Sequence, residues 1–393
     1  MAAELTNAKL GRRLRLGMVG GGEGSFIGPV HRIAARLDDR WELVAGALSS
    51  DPARAQASGA ALFLAPERCY ADFATMATAE AMRADTIDAV AIVTPNHLHF
   101  AVAKAFLEAG IHVICDKPLV HTVAEAEELA ALVRRTGLVF VLTHNYSAYP
   151  MIREARALVA SGALGSLRVV QAEYPQDWLT EPLEATGRKQ AVWRTDPNQS
   201  GVAGCIGDIG THAFQLAEYV SGLTCTSLAA DISCFVPGRR LDDNAHVLVR
   251  YQGGARGMLW ASQVAPGCTN GLRLRIYGDK GGLEWWQEWP EILQLTRFGE
   301  PTQTLKRAGP GTGQLAAHAS RLPAGHPEGY IEGFAQIYRD AAELIASRLE
   351  IRPPPPEALA LPTIDDGVRG VRFIHAVVAS SRRDAAWVEL ASV

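Results

Sequence analysis

Short apolar runs alternate with longer amphipathic ones from Leu14 to His144. LRLGMV, ELVAGAL, AVAIV, HVIC and LVFVLTH read as strands, and the stretches between them carry apolar residues at helical spacing. Val102, Phe106 and Leu107 share one face before Gly110, and Thr122 followed by Glu125 is the start of a capping box. The alternation predicts βαβ units, so residues 12–146 are expected to form an α/β domain with a doubly wound parallel sheet of Rossmann type. After Tyr146 the apolar period shortens to two. SLRVVQAEY, AHVLVRY, ARGMLWASQV and LRLRIYG read as strands, with turns at QGG and GDKGG. Residues 147–393 are therefore expected as a C-terminal α+β domain with an open, mostly antiparallel sheet. Two closing helices are expected at roughly 327–348 and 364–381, kept apart by the prolines at 353–356. The segment 176–199 has mixed charge and no period, which reads as a long loop of the kind that carries function.

Composition narrows the partners. A chain of 393 residues exceeds one ordinary core, and 48% hydrophobic with 20% charged residues is a globular balance. A net charge of −4 with acids and bases interleaved argues against nucleic acid and anionic membrane, leaving a small molecule. The six cysteines are scattered without a CxxC, which predicts reduced thiols, no disulfide framework and no metal site. Residues 1–13 hold no apolar leader and no long uncharged apolar stretch occurs, so a cytoplasmic protein is expected.

Three motifs carry chemistry. The first strand runs into Gly20-Gly21-Gly22-Glu23-Gly24-Ser25-Phe26-Ile27-Gly28 before a helix near Pro29, which is where a chain must turn sharply and present helix amides to a pyrophosphate. Gly20, Gly22 and Gly28 are the candidate contacts, with Gly28 three residues later than the strict GxGxxG spacing. At the end of the second strand stand Ser49 and Ser50, with Arg54 behind, a set that admits an adenosine 2′-phosphate. Asp51 reads either as a ribose contact or as the cap of the helix opening at Pro52.

The second motif is the pair of strand ends at Thr94-Pro95-Asn96-His97-Leu98-His99 and Asp116-Lys117-Pro118. In open α/β sheets ligands bind at such carboxyl ends, although the first also reads as a turn and helix cap. Pro118 stops the ladder and leaves Lys117 at the top of the sheet, where its ammonium can meet a substrate oxygen; a solvated surface lysine is the alternative. The third motif is Gly204-Cys205-Ile206-Gly207-Asp208-Ile209-Gly210-Thr211-His212. On a helix Asp208 and His212 would share one face about a turn apart. They read either as a substrate-holding and proton-transferring pair, or as a helix cap and a satisfied half-buried histidine.

In this order the glycine loop, TPNHLH, CDKP and GDIGTH resemble the Gfo/Idh/MocA family, named after glucose-fructose oxidoreductase and inositol dehydrogenase. The likeness spans most of the chain and departs at the lengthened glycine loop and at Asp116, where the family usually has glutamate. It implies an NAD(P)-dependent dehydrogenase acting on a secondary hydroxyl of a cyclitol or sugar, an inositol or an aldose or glucoside; the two departures keep the family's cofactor preference from carrying over, and NAD is expected slightly ahead of NADP. It also implies that Lys117 and Asp208 position the hydroxyl, that His212 is the acid or base, and that Thr94, Pro95, Asn96, His99 and Asp116 line the cofactor. The sheet of the second domain would make a homodimer or homotetramer.

A polyol needs several hydrogen-bond partners and a flat platform, which brings in Tyr146, Gln176, Asp177, Trp178, Trp193, Arg194 and His326. Trp285, Trp286 and Trp289 read as core or interface. Two other functions fit the same motifs. One is a glycosidase that oxidises a sugar transiently, eliminates and returns the hydride, as some relatives do; the other is a cofactor-binding sensor, which the complete Lys117, Asp208 and His212 set argues against.

Overall fold

A computed structural model describes residues 10–393. The leader-free reading of residues 1–13 thus falls largely outside the described residues. The chain begins with β1 (Leu14–Gly20), α1 (Ile27–Leu37), β2 (Trp41–Ala47), α2 (Pro52–Ala61), α3 (Phe73–Ala81), β3 (Ala89–Val93), α4 (His99–Glu108), β4 (His112–Cys115), α5 (Val123–Thr136) and β5 (Phe140–Leu142). The five strands are parallel in the order β2-β1-β3-β4-β5. All of β3 is buried, as a parallel strand covered on both faces must be. Strand order reverses between β1 and β3, where Gly20 is paired with Val93, so their carboxyl ends open at the place where such sheets bind ligands. The capping box at Thr122 and Glu125 is formed, and Gly137 closes α5 in the left-handed conformation.

The chain continues through α6 (Pro150–Ala160), β6 (Leu167–Pro175), α7 (Lys189–Arg194), α8 (Pro197–Ser200) and α9 (Thr211–Ser221). Then come β7 (Cys225–Ser233), β8 (Asn244–Tyr251), β9 (Arg256–Ser262), β10 (Arg273–Gly278), β11 (Gly281–Trp286), β12 (Ile292–Arg297) and β13 (Gln303–Lys306). It ends with α10 (Gln314–Ala319), α11 (Tyr330–Leu349), α12 (Ile364–Ser381) and β14 (Val388–Glu389). Nine strands form one sheet in the order β13-β12-β11-β10-β6-β9-β8-β7-β14, antiparallel except for the β6–β9 pair. Its inner face, with Val170, Ala172, Val247, Leu259, Leu274 and Ile276, is buried in a core where the Phe214 and Phe373 rings stack 4.2 Å apart.

By contacts the chain divides into two units, the residues through Asn145 with Tyr330–Val368, and Tyr146–Gly329 with Arg369–Val393. The boundary expected after residue 146 groups α11 with the second domain. In the structure it belongs to the first unit: Tyr338 OH lies 2.8 Å from His31 Nδ1, the Tyr338 carbonyl accepts from Trp41 Nε1 at 2.8 Å, and Glu343 pairs with Arg40 at 3.1 Å. The stripe of Phe334, Ile337, Ala341 and Ile345 announces a helix that must bury a face, but a stripe does not say against which sheet.

The segment 176–199 also differs from the expected loop. It holds α7 and α8, of 6 and 4 residues, too short to show a helical period. Strands β7, β11, β12, β13 and β14 are not among the expected runs; β13 is exposed along most of its length and β14 spans 2 residues, so neither carries an alternation. A usable alternation was present in ILQLTR of β12.

Candidate active site

The glycine loop is built by close backbone approach. Gly20 and Gly21 sit at φ +79° and +75°, the left-handed region that glycine enters without strain. A Cβ on Gly22 would lie 2.6 Å from the Leu48 carbonyl oxygen, and one on Gly28 would lie 2.3 Å from the Gly21 oxygen. Gly28 therefore seats the first turn of α1 directly on the loop, the role of the third glycine in a dinucleotide fingerprint. The first turn of α1 holds no acidic residue and its Gly28 N–H donates to Ser25 Oγ at 3.1 Å, so a neutral hydroxyl and no carboxylate stands at the helix end that would meet an anion. At the switch point the Thr94 hydroxyl is buried with no hydrogen-bond partner. The cradle and this orphaned group fit a dinucleotide at this edge. Ser49 and Ser50 follow the end of β2 and Arg54 lies in the first turn of α2, where Asp51 caps the helix through the Arg54 N–H at 2.8 Å, while Ser49 Oγ accepts from the Asp51 N–H at 3.1 Å.

The other strand ends of this sheet are tied together from within. Asp116 Oδ1 accepts from the Lys117 N–H and from Thr143 Oγ1, both at 2.9 Å. Asp116, expected among the cofactor contacts, thus holds the turn that presents Lys117. His99 is 0% exposed, with Nδ1 2.8 Å from the Pro118 carbonyl and Nε2 3.1 Å from that of Thr94. It offers no surface to a cofactor and instead links the two loops; burial lowers its pKa although both carbonyls oppose this. Asn96 is buried, and Thr94, Pro95 and Lys117 are half-buried. The peptide bond between Lys117 and Pro118 is cis. His144 was not singled out from the sequence. It is buried at the end of β5, and burial with the nearby Lys117 charge pushes it down to about 3, so its ring is neutral.

In the second unit, Asp208 lies in a π-helical turn, Ile206–Gly210, that leads into α9. Such turns recur at functional sites because they displace a side chain from helical register. Asp208 Oδ2 accepts from Arg194 Nε at 3.1 Å and from Gln263 Nε2 at 2.9 Å. The cap belongs to buried Asp242, whose carboxylate accepts from the Gly204 N–H at 2.6 Å and the Ile206 N–H at 2.9 Å. His212 is 7% exposed, its ring edge-to-face with Tyr146 at 4.9 Å and with Tyr174 at 6.2 Å. Burial raises the Tyr146 phenol above its ordinary range.

The loop residues divide. Arg194 lies over the Trp193 ring at 4.2 Å, and Trp178 Nε1 donates to Gln176 Oε1 at 3.1 Å. Asp177 accepts from the Gly267 N–H at 3.3 Å. His326, expected among the substrate contacts, is exposed on a loop where its carbonyl accepts from Arg307. Trp285 is core, whereas Trp286 and Trp289 are exposed with ring centroids 5.3 Å apart. Gln263, Asn270, Asp242 and Tyr174 were missed because polar residues in strands and turns carry no period; only Tyr174, inward on an alternating strand, left a sequence signal.

Residues 14–144 match the model of the oxidoreductase family with an NAD-binding Rossmann fold, and residues 152–284 match the GFO/IDH/MocA C-terminal domain. An uncharacterized oxidoreductase, YfiI of Bacillus subtilis, is 38% identical over 97% of this chain and 98% of its own length. The crystal structure of an oxidoreductase from Sinorhizobium meliloti is 54% identical, with a TM-score of 0.88 over 96% of this chain and 99% of that one. The structure of an inositol dehydrogenase homolog from Azotobacter vinelandii, complexed with NADH and myo-inositol, is 38% identical, with a TM-score of 0.89 over 96% and 98% of the two chains.

Proposed function

We propose that this chain, which belongs to the Gfo/Idh/MocA oxidoreductase family, oxidises a secondary hydroxyl of a ring polyol of the inositol type to the ketone, using His212 as base. One observation carries the reading. His212 is set between two tyrosine rings one turn beyond Asp208, whose carboxylate is oriented by Arg194 and Gln263. The likeness to an inositol dehydrogenase homolog complexed with NADH and myo-inositol supports the choice of substrate.

Bound NAD supplies the hydride acceptor. An alcohol releases hydride readily only as its proton leaves, so a base must stand within hydrogen-bond reach of the hydroxyl. His212 takes that proton at a ring nitrogen, the natural choice near neutral pH. Lys117, whose backbone N–H donates to Asp116, stabilises with its ammonium the charge that grows on the oxygen. Asp208 receives a neighbouring hydroxyl and fixes the ring of the substrate.

The outer face of the nine-stranded sheet exposes Val169, Leu248, Tyr277 and Trp286. These apolar side chains share that face with the ion-paired Glu173, Arg273, Arg275 and Glu284, a mixture that supports a homo-oligomer assembled through the sheet, which sedimentation would detect. The function itself is tested by incubating the purified protein with NAD and a panel of inositols and aldoses and following NADH absorbance. Reduction with at least one cyclitol is expected. No reduction with any of them, together with cleavage of an aryl glycoside, would replace this reading with a glycosidase.

A further inference from the structure

Arg32 lies half-buried on α1, and its Nη1 donates to the Gly21 carbonyl at 2.6 Å and lies 3.7 Å from Met18 Sδ. Among the described residues its Nε and Nη2 meet no acceptor and no carboxylate pairs with it. Burial lowers its pKa, and no neighbouring acid opposes the shift. A partly buried guanidinium with spare donors is costly until an anion joins it. The anion that this NAD-binding fold brings to the glycine loop is the diphosphate of the dinucleotide.

The helical spacing explains where the side chain ends. Gly28 and Arg32 are four residues apart on α1 and share one face, and a long helical side chain leans back over the preceding turn. Gly28 has no side chain to stand in that path. A Cβ on it would lie 2.3 Å from the Gly21 oxygen, the same oxygen that Arg32 holds. The next peptides of the loop are fixed from elsewhere: the Gly22 N–H donates to the Leu48 carbonyl, the Ser25 N–H to the Gly22 carbonyl and the Glu23 N–H to Ser58 Oγ, each at 3.1 Å. Gly21, at φ +75°, has no side chain to restrict it, and its carbonyl is fixed by Arg32. A carbonyl oxygen carries partial negative charge, so a Gly21 peptide free to turn toward a diphosphate would repel it.

We infer that Arg32 is a positioning residue for the cofactor: across the bare face of Gly28 it holds the Gly21 carbonyl against α1, and its unpaired charge favours the diphosphate. The glycine loop is three residues longer than the strict spacing, and a longer loop costs more to order unless it is held in advance. The inference rests on the NAD-binding fold of the first unit and not on the polyol reading.

Calorimetry on the full-length protein tests it with NADH, ADP-ribose and adenosine, the last of which lacks the diphosphate. Arg32→Met should weaken NADH and ADP-ribose by about tenfold or more, the scale of one charge-assisted hydrogen bond, and adenosine by less than about threefold. Equal losses on all three, or no loss on any, overturn the inference. If Arg32→Met does not fold, Arg32→Gln, also uncharged and too short to reach Gly21, is held to the same outcomes. The salt dependence of ADP-ribose binding should become shallower in Arg32→Met and stay as in wild type in Arg32→Lys, which keeps the charge. An unchanged dependence in Arg32→Met overturns the role of the charge. Gly28→Ala displaces the oxygen that Arg32 grips, so in that background the loss from Arg32→Met should shrink by about threefold or more; full additivity overturns the clamp. Wild-type protein that binds NADH but no inositol would overturn the polyol reading and leave this inference standing, whereas wild-type protein that binds no NADH would overturn the inference itself.

Discussion

Arg194 Nε donates to Asp208 Oδ2 across 3.1 Å, from a short helix in a segment without periodicity to a carboxylate in a π-helical turn. Gln263 reaches the same oxygen, so the carboxylate is oriented by two donors rather than one. Arg194→Leu should leave the Gln263 contact and lower kcat/KM by roughly tenfold to a hundredfold, on the scale of one charge-assisted hydrogen bond. Steady-state kinetics on the polyol that turns over best would show it. Unchanged kinetics would remove Arg194 from the site.

Removal of the proposed base or charge stabiliser should be more severe. His212→Ala and Lys117→Met are each expected to lower turnover by about two orders of magnitude or more, the range for general-base and electrostatic contributions. NADH binding followed by fluorescence should persist in the His212 variant. A His212→Ala enzyme with near wild-type turnover would transfer the base role elsewhere.

The glycine cradle offers a test of cofactor binding apart from catalysis. A methyl group at residue 28 would meet the Gly21 backbone at 2.3 Å, where no flexible side chain can yield. Gly28→Ala should raise the NADH dissociation constant by about tenfold or more. Gly24→Ala meets no atom nearby but enters the left-handed region at φ +76°, so it should cost about 1 kcal/mol of stability at most with a smaller effect on affinity. If both variants bind NADH like wild type, the phosphate site lies elsewhere.

Asp242 holds the start of the π-helical turn from below. Its carboxylate is buried and accepts from two backbone amides, so Asp242→Ala would orphan both and should destabilise the protein by about 3 kcal/mol. Chemical denaturation of the variant would give the value. A loss below about 1 kcal/mol would mean that the turn holds itself.

Acid sensitivity follows from histidines buried as neutral rings. His112, pushed down to about 4 by burial and by the Arg348 charge, accepts the Val139 N–H at 2.9 Å. In the unfolded chain a histidine takes a proton near pH 6.5, whereas in the folded state His112 stays neutral until about 4. Its contribution is therefore complete above about pH 6.5 and is lost as pH falls toward 4, amounting to about 2 kcal/mol between pH 7 and 5. His144, at about 3, acts in the same sense. Denaturation midpoints at pH 7 and 5 should differ, and His112→Gln should reduce that difference. An identical pH dependence in the variant would show that the ring does not titrate this way.

Much of this protein could be read along the chain. The parallel sheet of the first unit, the glycine loop, the strand-end lysine and the Thr122 capping box are local or short-period features, and each is specified by residues close together in sequence. Composition alone pointed to a small-molecule partner. What the tertiary structure decided was which buried polar groups meet. Asp116 serves the Lys117 turn, His99 bridges two loops and Asp51 caps a helix, although each stood among the candidate cofactor contacts or beside them. The pairing of Asp208 with Arg194 and Gln263, the capping by Asp242 and the packing of α11 on the first unit join residues far apart in sequence. The reason is physical: periodicity records which face of an element is buried, whereas a hydrogen bond or ion pair between distant residues depends on where whole elements come to rest.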